Sequence, residues 1–140
     1  MHIGERIRTL RQEKNLLQRE LAEKVGISES ALRNYELGNR NPSEDKIQKI
    51  AEALGVSHNA LTVNDFSDNN AIMHTLFVLE SKHGLNISKY DDIPYMFFDD
   101  TNSPDLLQKL RQWQIVHNKY MSGEITSQEY SDWKLSFNED

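Results

Sequence analysis

The chain has 140 residues, a hydrophobic fraction of 37%, no cysteine and a formal net charge of −6. That length holds one ordinary domain or two small ones. The lack of cysteine excludes disulfides and thiolate zinc sites, and no apolar run is long enough to span a bilayer.

The charge is unevenly placed. Residues 1–63 carry ten Lys/Arg and nine Asp/Glu, a net of +1, whereas residues 64–140 carry six and thirteen, a net of −7. The acid belongs to the second half. A near-neutral first half can still bind nucleic acid if its basic residues share a face. The opening MHIGERIRTLRQEK alternates charged and apolar residues, unlike a signal peptide, so a soluble cytoplasmic protein is expected.

Ile3, Ile7 and Leu10 fall at i, i+4 and i+7 and predict a first helix over about residues 2–13, with Arg6, Arg8 and Arg11 on its other faces. A second helix begins at Gln18. Leu17 stands where a Ser or Thr cap is usual, so this start lacks a side-chain acceptor. Leu21, Ala22 and Val25 form its apolar face, Gly26 ends it, and Ile27 plugs the corner. Ser28 then caps a third helix whose inward residues are Ala31, Leu32 and Tyr35, and Gly38 closes it. The outward set is Glu29, Ser30, Arg33 and Asn34, short or forked polar groups suited to base edges. After Asn39, Arg40, Asn41 and Pro42, Ser43 caps a fourth helix. Ile47, Ile50, Ala51 and Leu54 are its stripe, and Gly55 its stop. Ser57 caps a short fifth helix that brings Leu61 to the core.

The pattern Ile3…Arg11, Gln18-x-x-Leu21-Ala22, Val25-Gly26-Ile27-Ser28, Tyr35-Glu36-x-Gly38, Pro42 and Ala53-Leu54-Gly55-Val56 resembles the Cro/cI-type (XRE) helix-turn-helix family. It covers residues 1–63. The resemblance implies a lambda-repressor-like domain whose third helix enters the major groove. It implies that Gln18 contacts a phosphate and braces the recognition helix. Ser28, Glu29, Ser30 and Asn34 would face bases or nearby backbone. Leu37, Gly38 and Asn39 would offer amides to a phosphate, with Arg40 close by, and Arg11 and Glu36 would form an internal salt bridge. Arg33 is the best-placed cation for a guanine or a phosphate. Glu29 departs from the pattern, and three roles are open to it: accepting from cytosine N4, pairing with Arg33 one turn on, or facing solvent.

In the second half, DFSDNN at 65–70 reads as the linker. Ile72, Met73, Leu76, Phe77 and Leu79 predict a helix over about residues 69–83, ended by Gly84. The alternating runs Leu85–Ser88 and Ile93–Phe97, around Asp91-Asp92, read as a β-hairpin or as an irregular loop with one extended segment; Pro94 confines its strand to an edge or a strand start. Ser103-Pro104-Asp105 starts a long helix to about Ser122, with Leu106, Leu110, Trp113 and Val116/His117 aligned and Leu107, Tyr120 and Met121 flanking. Thr126-x-x-Glu129 is a capping box for the last helix, which carries Tyr130, Trp133 and Phe137. GEITSQEYSDWK also resembles a tail segment of small regulators of the same family in Gram-positive bacteria and their mobile elements, which points to a prophage or mobile-element repressor.

Histidines 2, 58, 74, 83 and 117 show no metal-ligand spacing, and the pairs Asp91-Asp92 and Asp99-Asp100 show no calcium-loop spacing. No nucleophile motif or phosphate loop is present, so no enzyme, metal or cofactor is expected. Trp113, Tyr120, Tyr130 and Trp133 suit a core and dimer interface, with a ligand pocket as the alternative; Leu76 and Phe77 join that interface. The expected fold is mainly α. It has a five-helix domain at 1–63, a linker at 64–70, and a small α+β dimerisation or regulatory domain (helix, hairpin, two helices) at 71–140. The expected function is a dimeric transcription regulator, a repressor, that binds double-stranded DNA with residues 28–37 and has no membrane partner. The alternative is an antitoxin or immunity-type module whose C-terminal half binds a toxin or antirepressor.

Overall fold

The computed structural model describes residues 2–62, 66, 68–99 and 102–137. In chain order the elements are α1 (Ile3–Glu13), α2 (Gln18–Val25), α3 (Glu29–Glu36), α4 (Glu44–Leu54), α5 (His58–Thr62), α6 (Asn69–His83), β1 (Leu85–Tyr90), β2 (Ile93–Phe98), α7 (Pro104–Met121) and α8 (Ser127–Ser136). They divide into two units, residues 1–65 with 131–140, and residues 66–130.

The first unit is built on the apolar stripes read above. Ile7, Leu10, Leu21, Leu32, Ile50 and Leu61 are fully buried, with Val25, Tyr35, Ile47 and Leu54 around them. Two helix starts depart from expectation. Ser43 stands at the N-cap of α4 but its hydroxyl makes no capping bond. At α2, Leu17 offers no acceptor, yet the Glu20 carboxylate accepts from the Leu17 N–H at 2.7 Å, which satisfies one donor from the other direction. Ser57 does cap α5, accepting from the Ala60 N–H at 3.1 Å.

The stretch 131–137 belongs with this unit instead of completing a 71–140 domain. The Ser57 N–H donates to the Leu135 carbonyl at 2.7 Å, Leu135 packs on the core, and Lys14 pairs with Asp132 at 3.3 Å. The helix expected over about residues 69–83 forms as α6, so Asn69 and Asn70, which the linker reading also claimed, lie in its first turn, where the Asp68 carboxylate accepts from the Asn70 N–H at 2.9 Å. Positions 64, 65 and 67 of that linker lie outside the described residues.

In the second unit the hairpin reading is the one that forms. Strand β1 pairs antiparallel with β2 in the register Tyr90↔Ile93 to Leu85↔Phe98. Asp91 and Asp92 make the two-residue turn, and Lys89 pairs with Asp92 at 3.1 Å; Asp100 lies outside the described residues. The Ser103 hydroxyl does not cap α7 but lies 3.2 Å from His83 Nδ1. The 126–129 capping box is complete: Glu129 accepts from the Thr126 N–H at 2.7 Å, and Thr126 Oγ1 accepts from the Glu129 N–H at 3.2 Å.

The six residues expected at a dimer interface differ in burial. Tyr130 is buried within its own chain: its hydroxyl accepts from Trp113 Nε1 at 2.7 Å, and its ring stacks on Tyr120 at 4.8 Å. Trp133 is half-buried, 5.2 Å from the Phe137 ring, and falls in the other unit. Leu76 is half-buried, and Phe77 and Trp113 are exposed.

Candidate nucleic-acid interface

Helix α2 runs into Gly26, whose φ of +74° is the left-handed conformation that ends the helix and that an L side chain rarely adopts. The Ile27 N–H returns to the Ala22 carbonyl at 3.0 Å and Ile27 packs on the core, which fixes the corner between the two helices. Ser28 Oγ accepts from the Ala31 N–H at 3.1 Å, so α3 starts in a defined orientation. With Leu32 and Tyr35 inward, the other side of α3 is set by helical period: Ser28, Glu29, Ser30 and Arg33 are exposed and Asn34 is half-buried.

The back of this pair is braced by a buried charge cluster. Arg11 Nε donates to Glu36 Oε1 at 2.6 Å and Nη2 to Oε2 at 3.0 Å, while Nη1 reaches the Leu16 carbonyl at 2.7 Å. Gln18 Nε2 donates to Glu36 Oε2 at 2.8 Å, tying the first residue of α2 to the last of α3. The carboxylate that bonds Arg11 holds the guanidinium's pKa above its ordinary value. The cluster ties α1, α2 and α3 together behind the outward face of α3.

Glu29 and Arg33 form no ion pair among the described residues; both point to solvent. Arg33 is left free for a phosphate or a guanine, and Glu29 for a cytosine amino group. Ser28 has spent an oxygen lone pair on its cap but still has a hydroxyl proton to give.

The backbone beyond α3 differs from what the resemblance implies. The Leu37 N–H bonds Arg33 O at 3.0 Å, the Gly38 N–H bonds Tyr35 O at 3.0 Å, and the Asn39 and Arg40 N–H groups both bond Asn34 O, at 3.0 and 3.3 Å. All four amides are consumed in closing the helix end, so none is free for a phosphate. Contacts from this loop must come from side chains. Asn39 Nδ2 lies 3.4 Å from Asn34 Oδ1, and Arg40 is exposed.

Sequence reading missed His2 and Gly4. The His2 ring caps α1, accepting from the Gly4 N–H at 3.0 Å. A Cβ at Gly4 would stand 1.9 Å from the Tyr35 carbonyl oxygen, and one at Gly38 would meet the His2 ring at 3.1 Å. The start of α1 is therefore pressed against the end of α3. The only trace in the sequence is a small residue beside the first apolar position of a helix.

Comparison with known proteins agrees with this geometry. The helix-turn-helix family matches residues 7–61. A helix-turn-helix-type transcriptional regulator of Sinorhizobium fredii, y4dJ, is 41% identical over 56 residues, 40% of this chain and 73% of that protein. The chain belongs to the Cro/cI-type helix-turn-helix family. The immunity repressor protein of Bacillus phage phi105 is 39% identical over 61 residues, 44% of this chain and 42% of the repressor, so the chain matches less than half of that relative's length. Antitoxin PezA of Streptococcus pneumoniae is 28% identical over 122 residues, 82% of this chain and 77% of the antitoxin. In this helix-turn-helix chain, α2 and α3 are the motif, and Ser28, Glu29, Ser30, Arg33 and Asn34 are the side chains on its outward side.

Proposed function

We propose that the protein is a sequence-specific DNA-binding transcription regulator, a dimeric repressor of prophage or mobile-element origin that acts in the cytoplasm. The observation that carries this reading is the outward face of α3. Ser28, Glu29, Ser30 and Arg33 are exposed there and make no ion pair among the described residues, and the face is held from behind by the Arg11–Glu36–Gln18 cluster. Arg33, Ser30, Ser28, Glu29 and Asn34 read base edges and adjacent phosphates, while Gln18, Asn39 and Arg40 hold the backbone on either side. One short helix makes few base contacts. Two copies reading half-sites about 34 Å apart multiply affinity and specificity, and repression follows from occupying a promoter. No helix among the described residues is long and apolar enough to cross a membrane.

The test is fluorescence anisotropy on duplex DNA over a salt series. Affinity should fall with a linear dependence of log K on log salt, reporting phosphate neutralisation. Absence of binding at low salt would sink the reading.

A second reading has one observation in its favour: the likeness to antitoxin PezA extends well past the first half of the chain. In it, residues 64–140 hold a protein partner, and DNA binding serves autoregulation. Stoichiometric capture of a partner by the full chain, lost on substitution of exposed residues in the second unit, would favour it.

A further inference from the structure

The second unit buries little of its apolar surface, and its hairpin shows why. Asp91 and Asp92 both lie at positive φ, 52° and 63°, and form the two-residue loop between the paired residues Tyr90 and Ile93. In such a loop the flanking pair exchanges backbone hydrogen bonds, and bonded and non-bonded pairs alternate from there. Tyr90, Ser88 and Asn86 therefore direct their backbone groups to β2, and Lys89, Ile87 and Leu85 direct theirs away from it. On β2 the outward set is Pro94, Met96 and Phe98, and Pro94 has no N–H to give. The β2 edge is blunted, whereas the β1 edge can be extended without a gap.

The side chains agree with the backbone. Leu85, Ile87 and Met96 line one groove with Met73, Leu76 and Phe77 of α6. Asn86 and Glu80 stand in the same lining, and the opposite face of the hairpin carries Ser88 and Tyr90 on β1 with Ile93, Tyr95 and Phe97 on β2. Among the described residues the sheet has two strands, and the groove stands open: Ile87 is 70% exposed, Phe77 51%, Met96 50% and Met73 45%.

We propose that a second copy of this chain completes the sheet. Strand β1 pairs antiparallel with its counterpart about a two-fold axis at Ile87, giving the order β2-β1-β1-β2, with the apolar face closed over both grooves. Ile87 then meets the second copy's Ile87, and Leu85 meets Lys89, so no like charges face each other. The area is of the right size. Those four side chains expose roughly 400 Å² per copy, taking ~200 Å² for a whole large side chain. The six-residue strand edge, ~20 Å long and ~10 Å deep, adds roughly 200 Å², which brings the seam to about 600 Å² per copy, the low end of the range for specific interfaces. This inference rests on the dimeric reading above and names the seam that reading lacks.

The chain has no cysteine, so a single introduced thiol reports cleanly. At the two-fold pair the Cα atoms would stand about 5.5 Å apart, within disulfide range, whereas the two Met96 positions would be separated by three strand spacings, ~14 Å, beyond it. Under mild oxidation Ile87→Cys should give a covalent dimer in high yield and Met96→Cys almost none. Ile87→Pro, which removes only an outward N–H, should sediment as a monomer, while Met96→Pro stays dimeric. A dimeric wild type in which Met96→Cys cross-links and Ile87→Cys does not would overturn the seam and leave the dimer standing. A wild type that is monomeric throughout the micromolar range would overturn both and give the open groove to a different protein.

Discussion

Replacing Glu36 by alanine removes the acceptor of three hydrogen bonds, two from Arg11 and one from Gln18, and leaves the guanidinium with the Leu16 carbonyl alone. The two side chains are 9% and 2% exposed, so water cannot replace what is lost. Breaking a buried pair by removing one partner costs ~3–5 kcal/mol. That is a large part of the roughly 5–15 kcal/mol that holds a domain together, and it corresponds to a drop in Tm on the order of 15 °C. Urea and thermal unfolding of the full chain by circular dichroism, with amide exchange in α1 and α3 to locate the loss, measures it. The double replacement Arg11→Met with Glu36→Leu should recover most of the stability, because two apolar groups need no partner. A Glu36→Ala cost below ~1 kcal/mol, or a double variant no better than the single, would refute a buried, mutually dependent pair.

Four further outcomes follow from the geometry. Gly4→Ala should destabilise the first unit and weaken DNA binding together, since its Cβ would collide with the Tyr35 carbonyl and push α1 off α3; melting and anisotropy on one sample check it. Ser28→Ala should cost ~1 kcal/mol in unfolding free energy through loss of the α3 cap. Arg33→Ala should weaken DNA binding and either lower the salt slope by about 1 or relax the preference at one base pair; unchanged affinity at low salt would remove Arg33 from the interface. The Glu129 carboxyl is held below its usual range, first by the Thr126 backbone N–H and then by the Thr126 hydroxyl. Its folded pKa lies below its unfolded one, so the capping contribution is present above the ordinary carboxylate range and is lost as pH falls through the folded value. Amide exchange at the start of α8 should therefore quicken in acid, and Glu129→Gln should flatten that dependence.

The parts of this fold that were legible in the sequence are those written in local rules. Apolar residues at helical spacing gave α1 to α4, the glycines at 26, 38, 55 and 84 marked helix ends, and Thr126-x-x-Glu129 marked the last start. The resemblance placed Arg11 opposite Glu36 across 25 residues, a pairing no local rule contains. What was not legible depends on distant geometry. Ser43 and Ser103 hold the right residue type for a cap, but one hydroxyl is unused as a cap and the other lies beside His83. The amides of Leu37 to Arg40 are spent on the end of α3 because the chain turns back on itself there. In the second half, aromatic content suggested an interface at Trp113, Tyr120, Tyr130 and Trp133, and tertiary packing put Tyr130 inside instead. Exposed apolar side chains lie on α6, on the hairpin and on α7, where Trp113, Ile115 and Met121 stand open, and alternation alone could not say which face would lack a cover.

The central claim is that α3 reads a defined DNA sequence in two copies. Selection of bound duplexes from a random pool with the full chain tests it most directly. Enrichment of an inverted repeat is expected, with half-sites centred about one helical turn apart, ~34 Å, and with loss of the preference at one position of each half-site on substitution of Arg33. Recovery of an unenriched pool, with binding that depends only on salt, would contradict it.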